Sequence, residues 1–192
     1  MRRMLRYTSA ALTMATCLAS CAPVRVNSYA VPMTDMRSYR TYTWDVAELE
    51  STGDPRLDHN RFFKERVQEA IDAQMRFRGY EKVAGGTPDM TLHIHARVQQ
   101  RIDSAQIDGA GGSCSQDECR SYVYDEGTLL IDIMNARTRS LIWRGWAERS
   151  LDGIVDNQDL MNQTIDRAVS VICARLPVRR LSGGRPLFAR DE

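Results

Sequence analysis

The sequence predicts an α+β fold: a two-layer sandwich of two helices on one face of a mainly antiparallel sheet of four to five strands. Three observations predict it. Two long stretches carry apolar residues every three to four positions, the period of an amphipathic helix. Other stretches alternate apolar and polar residues with a period of two, as strands with one wet face do. The stretches follow one another as strand, helix, three strands, helix (β-α-β-β-β-α), and both helices bury their stripes if they lie on one side of a single sheet.

Residues 38–46 are rich in Tyr, Thr and Trp, which favours a strand, with Tyr42 and Trp44 on one face. Upstream, Val24-Arg25-Val26 alternates and suits a brief strand; the rest of 22–36 reads as tether. Asp54-Pro55 has the form of a helix cap followed by proline at the first helical position, with Asp58 a competing cap. Phe63, Val67, Ile71 and Met75, with Ala70 beside them, make the stripe of that helix, and Gly79 ends it. From Thr91 the period changes to two. Leu92, Ile94, Ala96 and Val98 face one way, and His93, His95, Arg97 and Gln99 the other.

Residues 103–121, rich in Gly, Ser, Asp and Gln, read as a long loop. A further strand starts at Tyr122 or Gly127 and runs to Met134. The tight link 136–139 joins it in a hairpin to residues 141–151, which contain Trp143 and Trp146. Asp156 or Asn157 caps the last helix. Its stripe is Met161, Ile165, Ala168, Val169, Ile172 and Leu176, and Pro177 stops it. The tail, 178–192, is expected to be disordered.

The first 20 residues have three arginines at the start, then a short apolar run and small residues, the layout of a secretory signal peptide. The run is too short to span a bilayer, which takes about 20 apolar residues. The segment Leu18-Ala19-Ser20-Cys21 resembles the lipobox of bacterial lipoproteins. The resemblance implies cleavage before Cys21, acylation of that cysteine and a mature chain beginning there. By analogy with lipoprotein sorting in enteric bacteria, Ala22 in place of Asp favours the outer membrane, facing the periplasm. Palmitate-class chains would be the anchor; one chain binds only marginally, and two or more hold stably.

Cleavage leaves 172 of the 192 residues, enough for one domain, read as 37–177, with a tether at 21–36. The signal takes three of the 26 basic residues and none of the 25 acidic ones, so the mature net charge is −2. With no basic block, nucleic acid and anionic lipid are poor candidate partners, and no nucleic acid is expected.

The domain also carries a set of words in order: Ser38-Tyr39-Arg40-Thr41-Tyr42-Thr43-Trp44, Arg78-Gly79-Tyr80 and Asp89-Met90-Thr91-Leu92. Tyr124-Asp125-Glu126-Gly127-Thr128-Leu129-Leu130-Ile131-Asp132 and Leu141-Ile142-Trp143-Arg144-Gly145-Trp146-Ala147 complete it. From about Val24 to Leu176 the chain resembles the DUF4136 family of bacterial lipoproteins. That resemblance implies an envelope lipoprotein with this fold and no particular reaction. The cysteine loop 114–119 and the arginine-containing tail depart from the pattern.

No catalytic constellation emerges. His93 and His95 leave the same face of a strand, yet lack third and fourth ligands at a recognisable spacing, so no metal site and no cofactor is expected. Cys114 and Cys119 have neither redox nor zinc-finger spacing, and export permits a disulfide between them. Cys173 adjoins a helix stripe and is expected to be buried and free. Asp125, Glu126 and Asp132 are expected to be solvated at strand ends, and Trp44 and Trp143 to belong to the core.

The expectation is a non-enzymatic binding or assembly module, held at the membrane by Cys21 and meeting an envelope protein through the open sheet face. The candidate contact residues are His93, His95, Arg97, Arg144, Trp146 and Glu148. The alternative is a small-ligand binder or hydrolase with residues 103–121 as a lid over the same face.

Overall fold

Chain reversal by a helix decides the architecture. In the computed structural model, which describes residues 24–45, 51–103 and 122–178, a strand at Thr41–Trp44 leads through helices back to a long strand at Met90–Asp103. A chain that returns through a helix re-enters the sheet in its original direction, so these two strands pair in parallel.

Numbered along the chain, the strands are β1 (Arg25–Ala30), β2 (Thr41–Trp44), β3 (Glu81–Lys82), β4 (Met90–Asp103), β5 (Tyr122–Asn135) and β6 (Leu141–Ser150). The helices are α1 (Pro55–Asp58), α2 (Arg61–Phe77) and α3 (Gln158–Cys173). The six strands form one sheet in the order β1-β6-β5-β4-β2-β3. β2 pairs in parallel with both β3 and β4, and the remaining pairs are antiparallel.

The expected fold, a mainly antiparallel sheet of four to five strands with two helices, is therefore corrected: the described residues form a six-stranded mixed sheet with three α-helices, still broadly α+β. The physical reasons are specific. The crossover through α2 makes β2 parallel to β4. The two-residue β3 is too short to show a period. β1 is an exposed edge whose apolar alternation stops at Val26, which is why only a brief strand at 24–26 is legible and residues 27–30 read as tether; residues 25–30 pair with residues 143–148 of β6. The extra helix arises because Asp54 caps only the short α1, and Asn60, which the sequence does not single out, starts a second helix. The Asp54 carboxylate accepts from Arg56 N at 2.8 Å and starts α1, and Asn60 Oδ1 accepts from Phe62 N at 3.1 Å and starts α2. Asp58 instead receives Thr52 N at 2.6 Å.

The hairpin of β5 and β6 is present. Asn135 Oδ1 accepts from Arg137 N and Thr138 N across its turn, and Arg139 adopts a φ of 55°. Gly79, at a φ of 85°, ends α2 in the left-handed region that glycine enters without a Cβ clash.

Both helices lie on the face lined by Leu92, Leu129, Ile131, Ile133 and Trp143, and their stripes are buried against it. The stripes are those read from the sequence, with Cys173 added as a buried free thiol. Burial pushes that thiol's pKa up to about 12. Gly145 lets α3 approach. A Cβ there would stand 2.7 Å from Ile172 Cγ2 and 2.3 Å from the Trp143 ring.

Candidate functional site

The other face of the sheet has no helix over it among the described residues, and alternation along four strands sets what it displays. Residues directly opposite in an antiparallel pair share a face. The register therefore builds rows across the open side: His93, Asp132, Arg144 and Tyr29; then His95, Leu130, Trp146 and Asn27; then Arg97, Thr128, Glu148 and Arg25. All six residues expected on the open face lie in these three rows.

Two carboxylates in this surface are nonetheless buried. Asp132 is 5% exposed, and Arg144 grips both its oxygens, Nε to Oδ1 and Nη2 to Oδ2, each at 2.6 Å. Those bonds raise the Arg144 pKa above its ordinary value. His95 Nε2 lies 3.7 Å from Asp132 Oδ2. Glu126 is 2% exposed and sits between Arg101, whose Nε is 2.9 Å from Oε1, and Arg25, whose Nη2 bonds Oε2. Arg25 also reaches toward Glu148 at 3.6 Å. The expectation that Glu126 and Asp132 would be solvated is thus overturned. Their charges are roofed by guanidinium groups from β4, β6 and β1, which supply the hydrogen bonds that burial requires.

Arg25 and Arg101 are not singled out by the sequence, and Glu126 is singled out only as a solvated carboxylate. The signal was there only in part: Glu126 has the same parity as Thr128 and Asp132, but its arginines come from β1 and β4, far away in the chain. Arg97 is exposed and forms no ion pair with a described residue. His93 Nδ1 is 3.1 Å from Asp45 Oδ2, so the two histidines have separate carboxylate neighbours. Among the described residues no three His, Cys, Asp or Glu side chains come together as a metal would need.

The covered side holds a second polar centre. Asp72 of α2 accepts from the Tyr42 hydroxyl at 2.8 Å, Trp44 Nε1 at 3.0 Å and Lys82 Nζ at 2.8 Å. Burial, and secondarily the bond to Asp72, raises the Tyr42 pKa, so its hydroxyl remains a donor. Trp143 is fully buried, while Trp44 is partly buried against the core. A cavity of about 60 Å³ lies between sheet and helices, lined by Leu57, Phe63, Val98, Leu129, Leu151 and Met161 among others.

Cys21, Cys114 and Cys119 lie outside the described residues, as do residues 104–121 of the long loop and 179–192 of the tail. Among the described residues no helix is long and apolar enough to cross a membrane.

Solved structures that resemble this one include the following three. A PDZ domain protein from Parabacteroides distasonis has a TM-score of 0.50 at 10% identity, over 82% of this chain and 37% of that one. A PelC dodecamer from Paraburkholderia phytofirmans has a TM-score of 0.48 at 10% identity, over 82% of this chain and 100% of that one. A DUF4136 family protein from Bacteroides thetaiotaomicron has a TM-score of 0.48 at 10% identity, over 77% and 95%. At these identities the likeness concerns the fold alone. Among curated protein sequences none matches this chain. Residues 26–178 match the family described as a domain of unknown function, DUF4136, and because that match spans most of the chain, the protein belongs to the DUF4136 family.

Proposed function

We propose that this protein is a lipid-anchored envelope component, tethered through Cys21, whose open sheet face binds a partner protein and which performs no chemistry of its own. One observation carries the reading: the open face is a polar surface whose buried carboxylates are already paired with arginines. Glu126 and Asp132 are buried under Arg25, Arg101 and Arg144, so His95, Arg97 and Trp146 are presented on a pre-ordered platform. Pre-ordered side chains lose less entropy on association. Tryptophan and arginine are the residue types most often responsible for affinity at protein interfaces. The outer membrane, facing the periplasm, is the proposed location, and a Cys114–Cys119 disulfide the proposed state of the loop.

A small-ligand binder or hydrolase with a lid at 103–121 is the second reading. The 60 Å³ cavity on the helix-covered face is far below the roughly 300–1,000 Å³ of small-molecule sites, whereas the cleft of about 480 Å³ beside His95, Arg97 and Gln99, bordered by Ser51, Thr52 and Gly53, is of that size and is where such a ligand would sit.

Crosslinking in living cells from positions 97 and 146, followed by mass spectrometry, tests the binding role. Repeated recovery of one envelope protein is the expected result. No partner, together with a small molecule that co-purifies and is lost in Trp146→Ala, would overturn it. Cys21→Ala is expected to release the protein from membranes or leave it unprocessed. A variant with the same mature mass that still fractionates with membranes defeats the anchor. Non-reducing peptide mapping is expected to link Cys114 to Cys119.

A further inference from the structure

We propose that the end of the sandwich bearing the N-termini of α2 and α3 rests on the bilayer and inserts apolar side chains into it. The inference depends on the Cys21 anchor proposed above and adds an orientation and a contact surface to it.

Several contacts define this end. Val98 N donates to Thr52 O at 2.7 Å, Leu151 N to Asp125 O at 2.8 Å, and Arg56 bridges to Asp156 at 3.0 Å. They bring together the end of β4, the start of β5, the end of β6, α1 and the first turns of α2 and α3. Four apolar side chains stand exposed here: Phe62 at 65% and Leu160 at 41% in those first turns, and the directly paired Ile102 and Val123 at 63% and 50%. Exposed apolar groups gathered at one end of a domain mark a contact surface.

Exposure alone does not choose this end, because Met33, Phe77 and Val178 are exposed at the opposite one. The anchor chooses. Val24 packs against the core, and Arg25 pairs with Glu148 near the end of β6. Cys21 precedes Val24 by three residues, and an extended chain spans at most about 3.6 Å per residue. The acylated cysteine therefore lies within about 11 Å of Val24. The opposite end is separated from it by the ten residues of β6, about 33 Å at 3.3 Å per strand residue.

Charge identifies the kind of contact. Arg56 is held by Asp54 and Asp156, and Arg25 and Arg101 by Glu126. Asp58, Asp125 and Asp159 lie at the same end. Arg61, Lys64, Arg97 and Arg149 also stand at this end, but with Glu148 and Asp152 counted its carboxylates outnumber its cations, so no basic excess is left for anionic headgroups and the occupant is the apolar layer of the bilayer. The inserted side chains add a protein contact to the lipid attachment and fix the orientation of the domain.

The test uses the acylated protein extracted from membranes and returned to phosphatidylcholine vesicles. In a Cys114→Ser, Cys119→Ser background, spin labels are attached at Phe62→Cys, Ile102→Cys, Val123→Cys and Leu160→Cys, with Met33→Cys and Phe77→Cys as controls; Cys173 is buried. Accessibility to oxygen relative to a water-soluble nickel chelate is expected to be several-fold higher at the four positions than at the controls. Equal ratios, a higher ratio at the controls, or contact only with added anionic lipid would overturn the proposal while leaving the anchor intact. Mass spectrometry of the starting material separates the two claims, since an unacylated Cys21 removes the anchor and this orientation with it.

Discussion

Strand β5 has two faces that bury side chains by different means. Toward the helices it presents Leu129, Ile131 and Ile133, which pack with Trp143 and the stripes of α2 and α3. Away from them it presents Glu126 and Asp132, which are almost as inaccessible. On the first face, burial comes from the hydrophobic effect and dispersion across an interlocked core, where shape matters. On the second, two carboxylates are sealed by arginines that remain largely exposed themselves. The covered face is thus built to exclude water, and the open face to hold fixed charge at a surface. This contrast is why the open face is the candidate for recognition.

The largest predicted effect separates the two faces through their tryptophans. Trp143→Ala empties a fully buried site and is expected to cost about 3–5 kcal/mol in urea unfolding. Trp146→Ala, in the open-face row with His95, is expected to cost less than about 1 kcal/mol and to act on partner recovery. Similar losses from both would break the distinction. Gly145→Ala comes next. The added methyl meets the Trp143 ring and Ile172, and overpacking of this kind costs about 1–3 kcal/mol. The thermal midpoint of the variant checks it.

The open face is expected to respond unevenly to removal of its two kinds of charge. Arg144→Ala leaves the Asp132 carboxylate buried without its bidentate partner, at a cost of about 1–2 kcal/mol. The reverse change, Asp132→Ala, leaves a guanidinium 42% exposed that can turn to water, so its cost is expected to be smaller. Equal losses in denaturant titrations of the two variants would show that the carboxylate is not sealed.

The sequence made the helix stripes legible because Phe63, Val67, Ile71 and Met75 report their own period locally. It made the outward parity of His93, His95, Arg97, Arg144, Trp146 and Glu148 legible for the same reason. Sheet order was not legible, since the parallel partner of β2 is decided by where α2 returns the chain. Nor were the arginine roofs. Asp132 and Arg144 are 12 positions apart, and Glu126 and Arg25 are 101 apart, so only the register joins them. Single-strand alternation says which way a carboxylate points and nothing about what covers it.

A smaller effect distinguishes these long-range roofs from a local one. Asp54 is 6% exposed and caps α1, and its carboxylate also holds the Arg56 side chain, Nε to Oδ1 at 3.0 Å and Nη2 to Oδ2 at 2.6 Å. The Arg56 bonds lower its pKa below the ordinary 3.8, outweighing burial, which acts the other way. A carboxylate depressed in the folded state contributes stability that is fully present above its unfolded pKa and lost as pH falls through the folded one. Asp54→Asn retains an oxygen that can cap the helix but removes the charge. The variant is therefore expected to be slightly less stable than the parent at pH 7, by the least of the four effects. The gap should close as pH is lowered from about 3.8 toward the depressed folded value. Thermal midpoints of both proteins from pH 7 to about pH 2.5 measure the gap directly, and titration of the other carboxylates cancels to first order in the comparison. A gap that widens in acid would mean that the Asp54 charge opposes folding and that Arg56 serves Asp156 instead.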